Sequence, residues 1–123
     1  MKRAPVVLTL VLLAALCPLA AAGSKDGPRR WTKTLKKNSE VVYKIVFIAS
    51  NNETAKHAEF AVIGDGGTDV DIEVQDERGK LVAQDVFYSD LALVRWSPTA
   101  TQTYTIRVKN LGAEDNVCHM GHN

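Results

Sequence analysis

Three groups of side chains in this 123-residue sequence have the types and spacings that chemistry requires. The first is acidic. Asp65, Asp69 and Asp71 stand on the glycine-rich stretch Gly64-Asp65-Gly66-Gly67 and at the start of the segment after it, with Asp69 and Asp71 on one face by parity. Carboxylates suit a hard cation, but Ca²⁺ takes about six to eight oxygens, so Asp76, Asp85, Asp90 or backbone carbonyls would have to complete its shell. The alternative for the same residues is structural, with Asp65 capping a turn through its own backbone while Asp71 and Glu73 face water.

The second group is Cys118-His119-Met120-Gly121-His122. Thiolate, imidazole and thioether are ligands for zinc and copper, and Gly121 would let the chain fold back on itself. A tail of this kind is expected to fray, which works against positioned ligands and their supporting hydrogen bonds. The competing expectation buries Cys118 as the last apolar residue of a strand and leaves the histidines in solvent. The third group is aromatic: Trp31, Phe87, Tyr88 and Trp96 offer rings for stacking on a polymer or protein. Trp96 reads as core. Phe87 and Tyr88 are adjacent, so in a strand at least one must point outward, and these two are the candidate ligand-binding residues.

Catalysis finds no support. The sequence contains no G-x-S-x-G elbow, no H-E-x-x-H, no Walker loop and no paired CxxC. His57 follows a polar loop and has no evident nucleophile beside it. Gly64-Asp65-Gly66-Gly67 superficially suggests a phosphate loop, but an alternating strand follows it rather than a helix.

The elements that must position these groups are strands. Val70-Asp71-Ile72-Glu73-Val74-Gln75 is apolar at every even number and polar at every odd one, as a strand with one wet face requires. Tyr104 to Lys109 repeats the pattern; Tyr43, Ile45 and Phe47 share a face, as do Ala58, Phe60 and Val62, and Ala92, Val94 and Trp96. Arg30 to Leu35 predicts a short first strand with Trp31 inward. Turn residues separate the runs at Asn51-Asn52, Gly64 to Gly67, Glu77-Arg78-Gly79, Ser97-Pro98 and Asn110-Leu111-Gly112. No apolar stripe of period 3.6 is sustained after the first 22 residues. The predicted fold is all-β: an antiparallel, jelly-roll-like β-sandwich of seven or eight strands.

Lys2 and Arg3 precede an uncharged run that ends in Ala20-Ala21-Ala22, the pattern of a secretory signal peptide cleaved after Ala22. The expected organisation is a signal peptide at 1–22, a basic lead at 23–29, the sandwich at 30–117 and a tail at 118–123. Export places the protein outside the cytoplasm, secreted or periplasmic. The whole chain carries 15 basic and 14 acidic residues. Without Lys2 and Arg3 it becomes 13 against 14, so no bulk charge draws it to nucleic acid. Charge is segregated all the same: Lys25 to Lys44 is basic, and Glu53 to Asp90 is rich in carboxylates. Loss of Cys17 leaves Cys118 without an internal partner, so the fold must rest on its core. Asn52-Glu53-Thr54 is a glycosylation sequon in a host that uses one.

Gly64 to Ala83, read together with Trp96-Ser97-Pro98 and Thr103 to Asn110, resembles the aspartate-rich strand and the late strands of bacterial pre-peptidase C-terminal domains. The resemblance spans roughly Trp31 to Val117. It implies a jelly-roll-like sandwich found outside the cytoplasm, non-catalytic, with calcium or matrix polymers such as collagen as ligands in some members. This sequence carries no enzyme for such a module to serve. The expectation is therefore an exported, non-enzymatic module that binds a protein, a matrix polymer or an envelope component, with calcium at Asp65, Asp69 and Asp71 as an option. The alternative is a small periplasmic transition-metal protein using Cys118, His119, Met120 and His122.

Overall fold

The computed structural model describes residues 23–50, 57–66 and 68–123. The expected signal peptide and the sequon at Asn52 lie outside them. Eight strands follow one another: β1 (Arg29–Leu35), β2 (Ser39–Phe47), β3 (Ala58–Ile63), β4 (Val70–Gln75), β5 (Leu81–Asp85), β6 (Leu91–Trp96), β7 (Gln102–Asn110) and β8 (Asn116–His122). They form two antiparallel four-stranded sheets, ordered β1-β8-β3-β6 and β2-β7-β4-β5. The predicted β-sandwich is the observed fold.

Period-two alternation builds the interior. Val70, Ile72 and Val74 of β4 meet Tyr104, Ile106 and Val108 of β7 on one inner face, and Phe60, Val62, Val94, Trp96, Cys118 and Met120 supply the other. Tyr43 and Ile45 are half-buried against this core, and Phe47 is fully buried. Complete burial of a Leu-, Ile- or Phe-sized side chain is worth about 1.5–3 kcal/mol, so the two facing rows supply the main favourable term of folding. Rings interlock: Phe47 lies 4.9 Å from Trp96 of the facing sheet and 6.0 Å from Tyr104 of its own, both edge to face.

The expected C-terminal tail is a correction. Residues 116–122 do not fray; they form β8, an inner strand with β1 on one side and β3 on the other. Asn116, Cys118, Met120 and His122 alternate inward with almost no exposure. The physical reason is that β1 and β3 are not neighbours, and without β8 the backbone groups that each turns toward it would be buried or exposed unpaired.

Polar side chains latch the ends. Asn110, fully buried, donates through Nδ2 to the Leu35 carbonyl at 3.1 Å and the Glu114 carbonyl at 2.8 Å, and accepts from Gly112 N at 2.9 Å. One side chain thus ties the β1–β2 turn to the β7–β8 turn. At the opposite end the lead segment crosses between the sheets: Ser24 N donates to Asn123 O and Lys25 N to Val46 O.

Candidate functional site

β5 and β6 are the terminal strands of different sheets, so the segment between them, Val86 to Asp90, passes from one layer to the other at the rim of the sandwich. Neither layer covers it. Phe87 is 80% exposed and Tyr88 90%, the two most exposed large apolar side chains described, and Val86 beside them is half exposed. Leu91 and Leu93, on the outward face of β6, carry apolar surface on from the loop. The expectation that at least one ring of the pair points outward is exceeded, because the segment is a turn and strand parity does not apply.

Exposed aromatic rings on a loose loop would be of little use for binding, since ordering them costs entropy at the moment of contact. This loop is strapped. Asp85, the last residue of β5, accepts Phe87 N through Oδ1 at 3.3 Å and Leu93 N through Oδ2 at 2.9 Å. Ser89 Oγ accepts Leu91 N at 3.1 Å. The loop base rests on the acidic turn: Val70 N donates to Ser89 O at 2.9 Å, Gly64 N to Asp90 O at 2.8 Å, and Ser89 N to Asp69 Oδ1 at 3.3 Å.

Beneath it lies a polar knot. Asp90 Oδ1 accepts Thr68 Oγ1 at 3.1 Å and Asn116 Nδ2 at 2.8 Å, while Asp90 Oδ2 accepts Gly66 N. Asn116, fully buried, accepts Asp65 N through Oδ1 at 2.8 Å. Asp65 Oδ2 takes Val117 N at 3.2 Å, reaching across to β8 rather than capping its own turn. Gly64 is required here, because a Cβ would run into the Asp90 carboxylate and Asn116.

The three acidic candidates are therefore differently employed. Asp69 accepts Ser89 N of the loop, and Asp65 accepts Val117 N of β8. Asp71 lies opposite Lys109 on the outer face of its sheet and is 6% exposed, with Oδ1 buried and without a hydrogen bond. The expectation that Asp71 simply faces water is corrected. Its burial, followed by the nearby charge of Asp69, holds its pKa above the ordinary value, while Lys109 pulls the other way. Among the described residues, no three His, Cys, Asp or Glu side chains are placed to hold a metal ion.

The C-terminal candidates divide between faces. Cys118, Met120 and His122 point into the sandwich, and His119 points outward, 3.1 Å from Thr32 Oγ1. Burial drives the Cys118 thiol up to about 12, which keeps it protonated, and it sits 3.7 Å from the Asn116 carbonyl. Trp96 is core, and Trp31 is half-buried. His57 Nδ1 lies 3.1 Å from Ser97 Oγ.

From sequence, Asp85 and Asp90 were weighed only as oxygens to complete a calcium shell, and Thr68, Ser89 and Asn116 were passed over. The available signal was the pair of aspartates, Asp85 and Asp90, bracketing an aromatic turn.

No family model matches the chain, and no curated protein matches it. Among solved structures it is similar to PliG from Aeromonas hydrophila, a periplasmic lysozyme inhibitor of g-type lysozyme. The TM-score is 0.53 at 12% identity, over 78% of this chain and 84% of that one. At that identity the likeness is one of fold.

Proposed function

We propose that this protein is an exported, non-catalytic β-sandwich that binds a protein partner through the Phe87–Tyr88 loop, and that the partner is a lysozyme-type enzyme. The observation that carries the reading is a pair of almost fully exposed aromatic rings on a loop fixed by side-chain carboxylates. Aromatic anchors held in place before contact bind at low entropic cost and dominate the energy of many protein interfaces. The similar sandwich that acts as a periplasmic lysozyme inhibitor supports the choice of partner class. The basic pattern at Lys2 and Arg3, with the apolar run behind it, supports export.

The charge around the loop favours a basic partner. Asp69, Asp71, Asp85 and Asp90 lie at its base or just beneath it, and Lys109, the cation opposite Asp71, is already shared with Glu73 at 3.2 Å. Complementary charge of this kind accelerates encounter and weakens as salt is raised. The test is inhibition of a purified g-type lysozyme by the purified protein and by its Phe87→Ala/Tyr88→Ala variant. Inhibition is expected from the parent and not from the variant. Absence of inhibition by the parent, or equal inhibition by both, defeats the reading.

A further inference from the structure

The rim opposite the aromatic loop carries a second feature. β1 and β2 are the terminal strands of the two sheets on that side, and the lead segment around Ser24 and Asp26 crosses beside them. Where the strands diverge, a cleft of about 510 Å³ opens between them. That volume lies in the range of small-molecule sites, which run from about 300 to 1,000 Å³.

The lining has two halves. Trp31, Tyr43 and Ile45 give an aromatic and aliphatic wall, closed at the back by His122. Trp31 Nε1 donates to Tyr43 Oη at 3.0 Å, and the two rings meet edge to face at 5.1 Å, so the wall is fixed in orientation. Because Tyr43 Oη accepts that bond, its own proton is free to be donated into the cleft. His122 is 4% exposed and stands 5.8 Å from the Trp31 ring. Its Nδ1 lies 2.7 Å from the Asn123 carbonyl, which requires Nδ1 to be the donor and leaves Nε2 an acceptor in the neutral ring. Arg29 and Lys44 add two cations to the lining against the single carboxylate of Asp26.

We infer that this cleft binds a small amphiphilic anion, a carboxylate attached to a flat apolar body, with the body against Trp31, Tyr43 and Ile45 and the carboxylate toward Arg29 and Lys44. A neutral polar ligand would leave the two cations without a use, and a wholly apolar one would leave both the cations and the Tyr43 hydroxyl unanswered. The site is independent of the Phe87–Tyr88 loop, which lies on the other rim.

The experiment titrates the purified protein with naphthoate and, separately, with the neutral naphthamide, following the Trp31 indole N–H and the His122 ring by NMR. Saturable shifts at both reporters are expected with naphthoate, and naphthamide is expected to bind about tenfold or more weakly, the size of one lost charge-assisted contact. Arg29→Gln and Lys44→Gln alter exposed side chains and are expected to remove the preference for the anion while leaving the melting temperature unchanged. The inference is overturned by any of four results. These are no saturable shift up to about millimolar probe, equal binding of acid and amide, shifts that map to Phe87 and Tyr88, or a double variant that keeps the full preference.

Discussion

Leu93 N, on the unpaired edge of β6, donates to Asp85 Oδ2 at 2.9 Å, and the other oxygen of the same carboxylate holds Phe87 N at 3.3 Å. One side chain therefore covers a sheet edge and fixes the Phe87–Tyr88 loop. Exposed edges invite pairing with other chains, and a charged cap on an edge N–H is one way to prevent it. Asp85→Ala is expected to cost about 1–3 kcal/mol, for two hydrogen bonds to a charged acceptor. Amide exchange should accelerate at Phe87 and Leu93 while β7 amides keep their order of protection. An unchanged exchange pattern at those two positions would remove Asp85 from its role as the strap.

Asn116 occupies the centre of the polar knot, accepting Asp65 N and donating to Asp90. Asn116 also donates to Thr68 Oγ1, so Asn116→Ala removes three hydrogen bonds at a fully buried position. The loss is expected at about 2–4 kcal/mol in chemical denaturation, because buried groups left unpaired carry their full desolvation cost. The variant should also weaken partner binding, since Asp90 anchors the base of the loop. A variant within about 0.5 kcal/mol of the parent, the range of an ordinary surface change, would contradict the described network.

Cys118 reports on β8. Its thiol is buried and held protonated, with the pKa pushed up to about 12. A thiol reagent such as iodoacetamide is expected to modify it only as fast as the protein unfolds, with immediate labelling in denaturant. Deleting residues 116–123 should abolish cooperative unfolding, because β8 joins β1 to β3. Rapid labelling of the native protein would mean that this strand is not docked as described.

His122 sets a pH dependence. Burial lowers its pKa below the ordinary 6.5, the charge of Arg29 adds to the effect, and the Asn123 carbonyl opposes it. The unfolded chain then binds the proton more tightly than the folded one. This contribution to stability is complete above 6.5 and is lost as pH falls through that value toward the lower folded one. Comparison of the parent with His122→Phe isolates it: the parent's melting temperature should drop more steeply on acidification below 6.5 than the variant's. Parallel profiles would contradict the burial of a neutral imidazole.

Much of the fold was legible because alternation and burial coincide. The inward sets expected for the strands around Val70, Tyr104, Ala58 and Ala92 are the observed ones, since two facing sheets need one oily side per strand. β8 escaped because Asn116, His119, Gly121 and His122 are poor strand formers taken one at a time, although Cys118 and Met120 already alternate. What makes that segment a strand is the gap between β1 and β3, a tertiary fact that no local pattern carries. The candidate site divides in the same way. That at least one of Phe87 and Tyr88 is exposed was readable, whereas the use of Asp69 and Asp90 as acceptors for loop amides, and of Asp65 as an acceptor for Val117 N of β8, depends on contacts between β8, the 64–66 turn, Asp69 and the 86–90 loop. Carboxylate type alone does not distinguish an acceptor of backbone N–H groups from a cation ligand.

Titration of purified g-type lysozyme with the parent protein, beside the Phe87→Ala/Tyr88→Ala variant and Lys33→Ala on the opposite rim, brings the proposed function to a single comparison. The parent and Lys33→Ala should bind alike, more weakly as salt is raised, and the aromatic double variant should lose about a hundredfold or more in affinity at unchanged melting temperature. Failure of the parent to bind, or a double variant that binds as tightly as the parent, would contradict the assignment of that loop as the site where this protein meets a lysozyme.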